Sequence, residues 1–154
     1  MNKIRYILPI LFLMFLGISC QENYEMIPPP NPDDYKPPRF TTMYMVGSAT
    51  PNDWTIEQAT QLKSTADNRN VFTWQGILKA GEMKFPINRA DGWNSAFFMA
   101  PQKGGTKIVS GESIKLRYSE SGDGGSDDKI IVEVEGTYKL TIDAIEETLV
   151  AEKI

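Results

Sequence analysis

Apolar positions between residues 43 and 154 recur with the period of β-structure rather than helix. In residues 137–143, Tyr138, Leu140 and Ile142 alternate with polar neighbours, and Leu149 and Ala151 resume the alternation after a turn near Ile145 and Glu146. Successive strand side chains point to opposite faces, so this segment is a hairpin with one dry face and one wet face. Short β-branched and aromatic runs bounded by Gly, Pro, Asn and Asp predict further strands at residues 43–47, 71–78, 82–88, 96–99, 106–109, 113–118 and 129–134, with the hairpin itself at 136–143 and 147–153. Residues 55–62 are the best helical candidate, and equally a loop with one turn. So many short strands in about 110 residues predict one all-β domain, an antiparallel immunoglobulin-like sandwich around a single core.

The N-terminus obeys a different pattern. Lys3 and Arg5 precede an apolar run over residues 7–16, then Gly17 and Ser19 stand directly before Cys20. A membrane-spanning helix needs about 20 apolar residues, roughly twice this run, so residues 1–19 are expected to be a cleaved secretion signal. Gly17-Ile18-Ser19-Cys20 resembles a relaxed lipobox, which makes Cys20 the expected acylated N-terminus and lipid anchor. Residues 20–42 then carry Pro28, Pro29, Pro30, Pro32, Pro37 and Pro38, six of the chain's ten prolines. They read as a tether that polyproline geometry extends to roughly 60 Å. The expected organisation is a signal at 1–19, a lipidated Pro-rich linker at 20–42 and the β-domain at 43–154.

Composition excludes much chemistry. The chain has one cysteine and no histidine, which removes disulfides, Cys/His zinc sites and every Ser-His-Asp arrangement, and no cofactor is expected. The formal charge is −4; loss of the signal, with its two cations and no acid, makes it more negative. An acidic surface argues against nucleic acid as a partner. The acidic, Gly-rich stretch at 121–128 lacks the alternating ligands and closing Glu of an EF-hand loop and reads as a mobile hairpin loop. Asp53, Asp91 and Glu112 offer carboxylates, but no spacing singles out the pair a glycoside hydrolase requires.

Candidate binding chemistry lies in the tryptophans. Trp74 is in phase with Phe72 inside a predicted strand, as a core residue would be. Trp54 and Trp93 instead sit among turn formers, in Pro51-Asn52-Asp53-Trp54 and Ala90-Asp91-Gly92-Trp93-Asn94. Pyranose rings have flat apolar faces edged with hydroxyls, so a sugar site needs aromatic platforms flanked by cations and amides. Residues 84–94, from Lys84 through Asn88 and Arg89 to Asn94, supply that set.

The stretches Met43-Tyr44-Met45-Val46-Gly47-Ser48-Ala49-Thr50, Trp54, residues 71–85 and Gly136-Thr137-Tyr138-Lys139-Leu140-Thr141-Ile142 resemble the repeated domain of the SusE/SusF outer-membrane lipoproteins. The resemblance implies a sandwich that binds starch or another glycan at the cell surface without cleaving it, beside a SusC/SusD-type transporter. It implies Trp93 as platform and Lys84 as basic partner, with Trp54, Arg89 and Trp74 as further candidates. Glu22 and Glu25, just after Cys20, resemble the acidic export signals of surface lipoproteins in such systems. Family members carry tandem domains where this sequence shows one, so the alternative expectation is an accessory subunit of the transporter assembly with no sugar site of its own.

Overall fold

A computed structural model describes residues 38–154; the expected signal, Cys20 and the tether up to residue 37 lie outside the described residues. The strands are β1 (Met43–Met45), β2 (Thr60–Ser64), β3 (Val71–Leu78), β4 (Gly81–Met83), β5 (Phe85–Pro86), β6 (Phe97–Met99), β7 (Thr106–Lys107), β8 (Ser113–Lys115), β9 (Arg117–Ser119), β10 (Ile130–Val132), β11 (Gly136–Asp143) and β12 (Thr148–Lys153). Helical structure among the described residues is confined to two single 3-10 turns, Ile56–Gln58 and Gly92–Asn94.

One six-stranded sheet, ordered β1-β2-β3-β11-β12-β8, is antiparallel throughout. Two three-stranded sheets, β4-β10-β7 and β5-β6-β9, complete the all-β sandwich. Their pairs are antiparallel except β10 with β7, which run parallel. The alternation read in the sequence sets the layers: Tyr138, Leu140, Ile142, Leu149 and Ala151 are buried together with Leu62 and Phe72 from the large sheet. They pack against Met83, Phe85, Phe98, Ile130 and Val132 from the small ones. Register makes this consistent, since Leu140 faces Ala151 and Ile142 faces Leu149. A one-residue slip would turn the whole apolar row to solvent.

Three expectations differ in detail, each for a physical reason. The predicted strand at 82–88 divides at Lys84, where the chain leaves β4 and its partner β10 and enters β5 beside β6. Lys84 and Val46 exchange both backbone hydrogen bonds at this corner, at 2.9 and 3.0 Å. The strand at 113–118 likewise divides at Leu116 into β8 and β9, which serve different sheets. Such strand-switching corners let separate sheets enclose one core. The helical candidate at 55–62 is one 3-10 turn followed by β2, because pairing of β2 with both β1 and β3 outweighs local propensity.

Two features frame the site. A second, smaller apolar cluster lies on the other side of β1, formed by Tyr44, Val46, Ile56, Ala59, Phe97 and Met99, with Trp54 partly buried against it. Before β1, Arg39 anchors the entering chain. Its backbone N–H donates to Asn70 Oδ1 (2.6 Å), and its guanidinium donates to the Ala144 carbonyl (2.9 Å) and pairs with Glu147 (2.8 Å). That guanidinium lies 4.5 Å from the Tyr118 ring centroid, while Phe40 packs on the main core. Arg39 and Phe40, which the sequence pattern assigns to the tether, thus make domain contacts.

Candidate functional site

Both loop tryptophans follow a left-handed residue. Asp53 (φ 53°) precedes Trp54 and Gly92 (φ 53°) precedes Trp93. Asp and Gly are among the residues that tolerate this conformation, and here it swings each loop so that the indole turns toward the second cluster. The Trp54 loop is closed by Gly47 N–H donating to the Asp53 carbonyl (2.9 Å) and by Asn52 Nδ2 donating to the Gln58 carbonyl (2.6 Å). The Trp93 loop is closed by reciprocal bonds between Asn88 and Asp91, at 2.8 and 3.0 Å, and by buried Ser95, whose hydroxyl accepts from Asn88 N–H.

The two indoles meet with ring centroids 6.3 Å apart and planes inclined at 42°. Trp93, 45% exposed, stacks on buried Phe97 at 6.2 Å and 10°. Its apolar face is thus held rigidly at the surface with its underside packed.

Lys84 comes to this cleft from the corner between β4 and β5. It is only 5% exposed, with its ammonium 5.0 Å from the Trp93 centroid and 4.7 Å from that of Phe97. A buried ammonium needs a counter-charge, and Asp127 supplies it at 2.8 Å. The other oxygen of Asp127 pairs with Lys129 at 2.9 Å, and the Lys129 ammonium lies 5.8 Å from the Trp54 ring centroid. Partial burial works against ionised Asp127, but the hydrogen bonds and charges of Lys84 and Lys129 outweigh it and hold its carboxyl below the usual aspartate range. Two cations sharing one carboxylate leave the cleft with a net positive charge. Trp54, Lys84, Trp93, Asp127 and Lys129 line a hollow of about 340 Å³, within the size range of small-ligand sites.

The acidic loop is what delivers Asp127. Rather than hanging free, it is held by Arg117, which donates to the carbonyls of Asp123 (3.0 Å) and Ser126, and by Gly122 N–H donating to the Ser95 carbonyl (2.8 Å). Asp127 and Lys129 carry no sequence motif, and they stand more than 30 residues from either tryptophan. The one hint was an acidic run ending beside a lysine at the start of a strand.

Of the five residues singled out from sequence, Trp54, Trp93 and Lys84 converge. Arg89 points elsewhere: its guanidinium covers the Tyr44 ring at 4.7 Å, and it donates to the Glu57 carbonyl at 3.4 Å. Trp74 is half-buried against the main core. It borders a separate trough of about 450 Å³ with Gln61, Lys63, Thr73, Gln75 and Lys139.

Comparison with known proteins accords with this architecture. Among curated proteins none matches. The crystal structure of SusF from Bacteroides thetaiotaomicron superposes with a TM-score of 0.51 at 17% identity, covering 72% of this chain and 23% of that one. At that identity the likeness speaks for the fold. The family model described as SusF/SusE starch specific CBMs matches residues 42–150. That span includes every lining residue of the tryptophan cleft, and the family is one of carbohydrate-binding modules, not of enzymes. The chain therefore belongs to the SusF/SusE family.

Proposed function

We propose that the cleft between Trp54 and Trp93 binds a glycan of the starch type, and that the protein captures polysaccharide without cleaving it. The observation that carries this reading is the junction of two loop tryptophans, 39 positions apart in sequence, into one inclined pair edged by ammonium groups. Sugar rings of an α-linked glucan turn relative to their neighbours, and two platforms inclined at 42° follow that turn better than they follow a flat β-linked ribbon. Desolvation of apolar ring faces on the indoles supplies the attraction, and Lys129 and Asp127 at the rim supply partners for hydroxyls. In this reading the chain is lipid-anchored through Cys20 at the outer face of an outer membrane. The Pro-rich segment holds the domain away from the lipid, and the bound polymer stays near a SusC/SusD-type importer.

Isothermal titration of the protein with maltoheptaose, β-glucan, mannan, xylan and fructan oligosaccharides tests the site. Saturable binding of the α-glucan is expected, weakened at least tenfold, or about 1.4 kcal/mol, by Trp93→Ala and by Trp54→Ala. Flat titrations with every sugar would overturn the proposal and leave the exposed indoles as a protein contact of an accessory transporter subunit.

A further inference from the structure

The exposed face of the six-stranded sheet carries a second polar surface, remote in composition from the tryptophan cleft. On β2, β3 and β11 the outward residues form a grid fixed by register. Lys63 faces Thr73, Thr73 faces Thr141, and Gln75 faces Lys139, with Gln61 two residues before Lys63 on the same face. Neighbouring strands lie about 4.8 Å apart and alternate residues about 6.8 Å, so the lysine Cα positions stand roughly 12 Å apart across the grid diagonal. Between them lie the Gln75 amide and the Thr73 hydroxyl. These residues, with Gln61 and Trp74, line the trough of about 450 Å³.

The charge of this trough runs against that of the whole chain. The chain as a whole is acidic, at −4, yet the trough is lined by two lysines and no carboxylate. Neither the Lys63 nor the Lys139 ammonium has a hydrogen bond or ion pair among the described residues. Glu152 faces Lys139 from β12, on the side away from the trough, and it can offset at most one of the two charges. Two unpaired ammoniums separated by amides and a hydroxyl match a ligand that carries spaced anionic charges and many hydroxyls. The repulsion of the net negative chain acts on any anionic ligand and is screened beyond about 8–10 Å by salt, whereas the two ammoniums act on carboxylates brought into contact with them.

We infer that the outer face of β2, β3 and β11 is a binding surface for an acidic polysaccharide, with Lys63 and Lys139 pairing to uronate carboxylates and Gln61, Gln75 and Thr73 bonding to sugar hydroxyls. The surface works independently of the tryptophan cleft. An acidic glycan lying on the sheet and a neutral one in the cleft could be held by the same domain.

The test is titration of the full chain, in detergent solution, with hexagalacturonate and with its fully methyl-esterified form, which keeps the hydroxyls and removes the charge. Sodium phosphate at matched ionic strength serves as a competitor. Saturable binding of the acid form is expected, reduced about tenfold by Lys63→Gln with Lys139→Gln, unchanged in Trp93→Ala, and accompanied by amide shifts on β2, β3 and β11. Absence of binding, equal affinity for the methyl ester, displacement by phosphate, indifference to the double variant, or loss in Trp93→Ala would each overturn the assignment. Because the Trp93 and lysine variants report on different surfaces, failure here and failure of the cleft are separable.

Discussion

Gly92 shows how one residue controls the cleft. Its φ of 53° costs a side-chain-bearing residue about 1–2 kcal/mol, and nothing lies within 4 Å of where a Cβ would project. Gly92→Val should therefore lower stability by that amount through strain alone, measurable by urea denaturation, while moving Trp93 and weakening sugar binding. Lys84 and Lys129 divide their labour. Lys84 is enclosed between rings and a carboxylate, so Lys84→Met should cost about 1–2 kcal/mol of stability, less than for a fully enclosed pair because Asp127 reaches solvent. Lys129→Ala should leave the melting temperature nearly unchanged and weaken glycan binding, a contrast that calorimetry on both variants resolves. Sequence marked Trp54 and Trp93 because turn formers around an aromatic are a local signal, and Lys84 because it opens the polar stretch that leads to Trp93 and matches the family pattern. It could not mark Asp127, whose role exists only because Arg117 and Ser95 carry a distant loop to the β4–β5 corner.

Among the elements, the long strands were the most legible. The bounds of β3 and β11 match their sequence pattern residue for residue: β11 alternates about one buried face, and β3 reads as an eight-residue run rich in β-branched and aromatic residues. The short strands were less so, since a two- or three-residue element is defined by its partner and not by its own composition. Lys84 and Leu116 look like strand interior in sequence and are corners in space. Just past the Val46–Lys84 bridge, Gly47 is indispensable: a Cβ there would fall 2.1 Å from the Glu82 carbonyl oxygen. Gly47→Ala should cost more than about 2 kcal/mol, seen as a lowered denaturation midpoint, by pushing the segment after β1 away from β4. Loss of the cleft is expected with it, because the Asp53 carbonyl is held by the Gly47 N–H.

Across the whole molecule, ionisation has few levers. With no histidine, stability should be nearly flat between about pH 5 and 8. Asp127 and Asp128 are both held below the usual aspartate range. Asp127 is held by its two lysines against burial; Asp128 chiefly by the Ser126 hydroxyl, with Gly104 N–H and nearby cations assisting. A depressed carboxyl contributes stability above its unfolded value near pH 4 that is lost as pH falls through the folded one. Acid titration of the melting temperature should show a decline that begins below about pH 4, and Asp127→Asn should shrink it. The anchoring of Arg39 has a mechanical consequence for any pull arriving along the chain from the N-terminal side. Without it, load would fall on β1, an edge strand held to β2 by three residue pairs that could be peeled open one at a time. With it, the load spreads through Ala144 and Glu147 into the turn joining β11 to β12 and through Tyr118 into β9. The domain is then loaded in shear across its longest hairpin, and Arg39→Ala should lower its rupture force in single-molecule pulling.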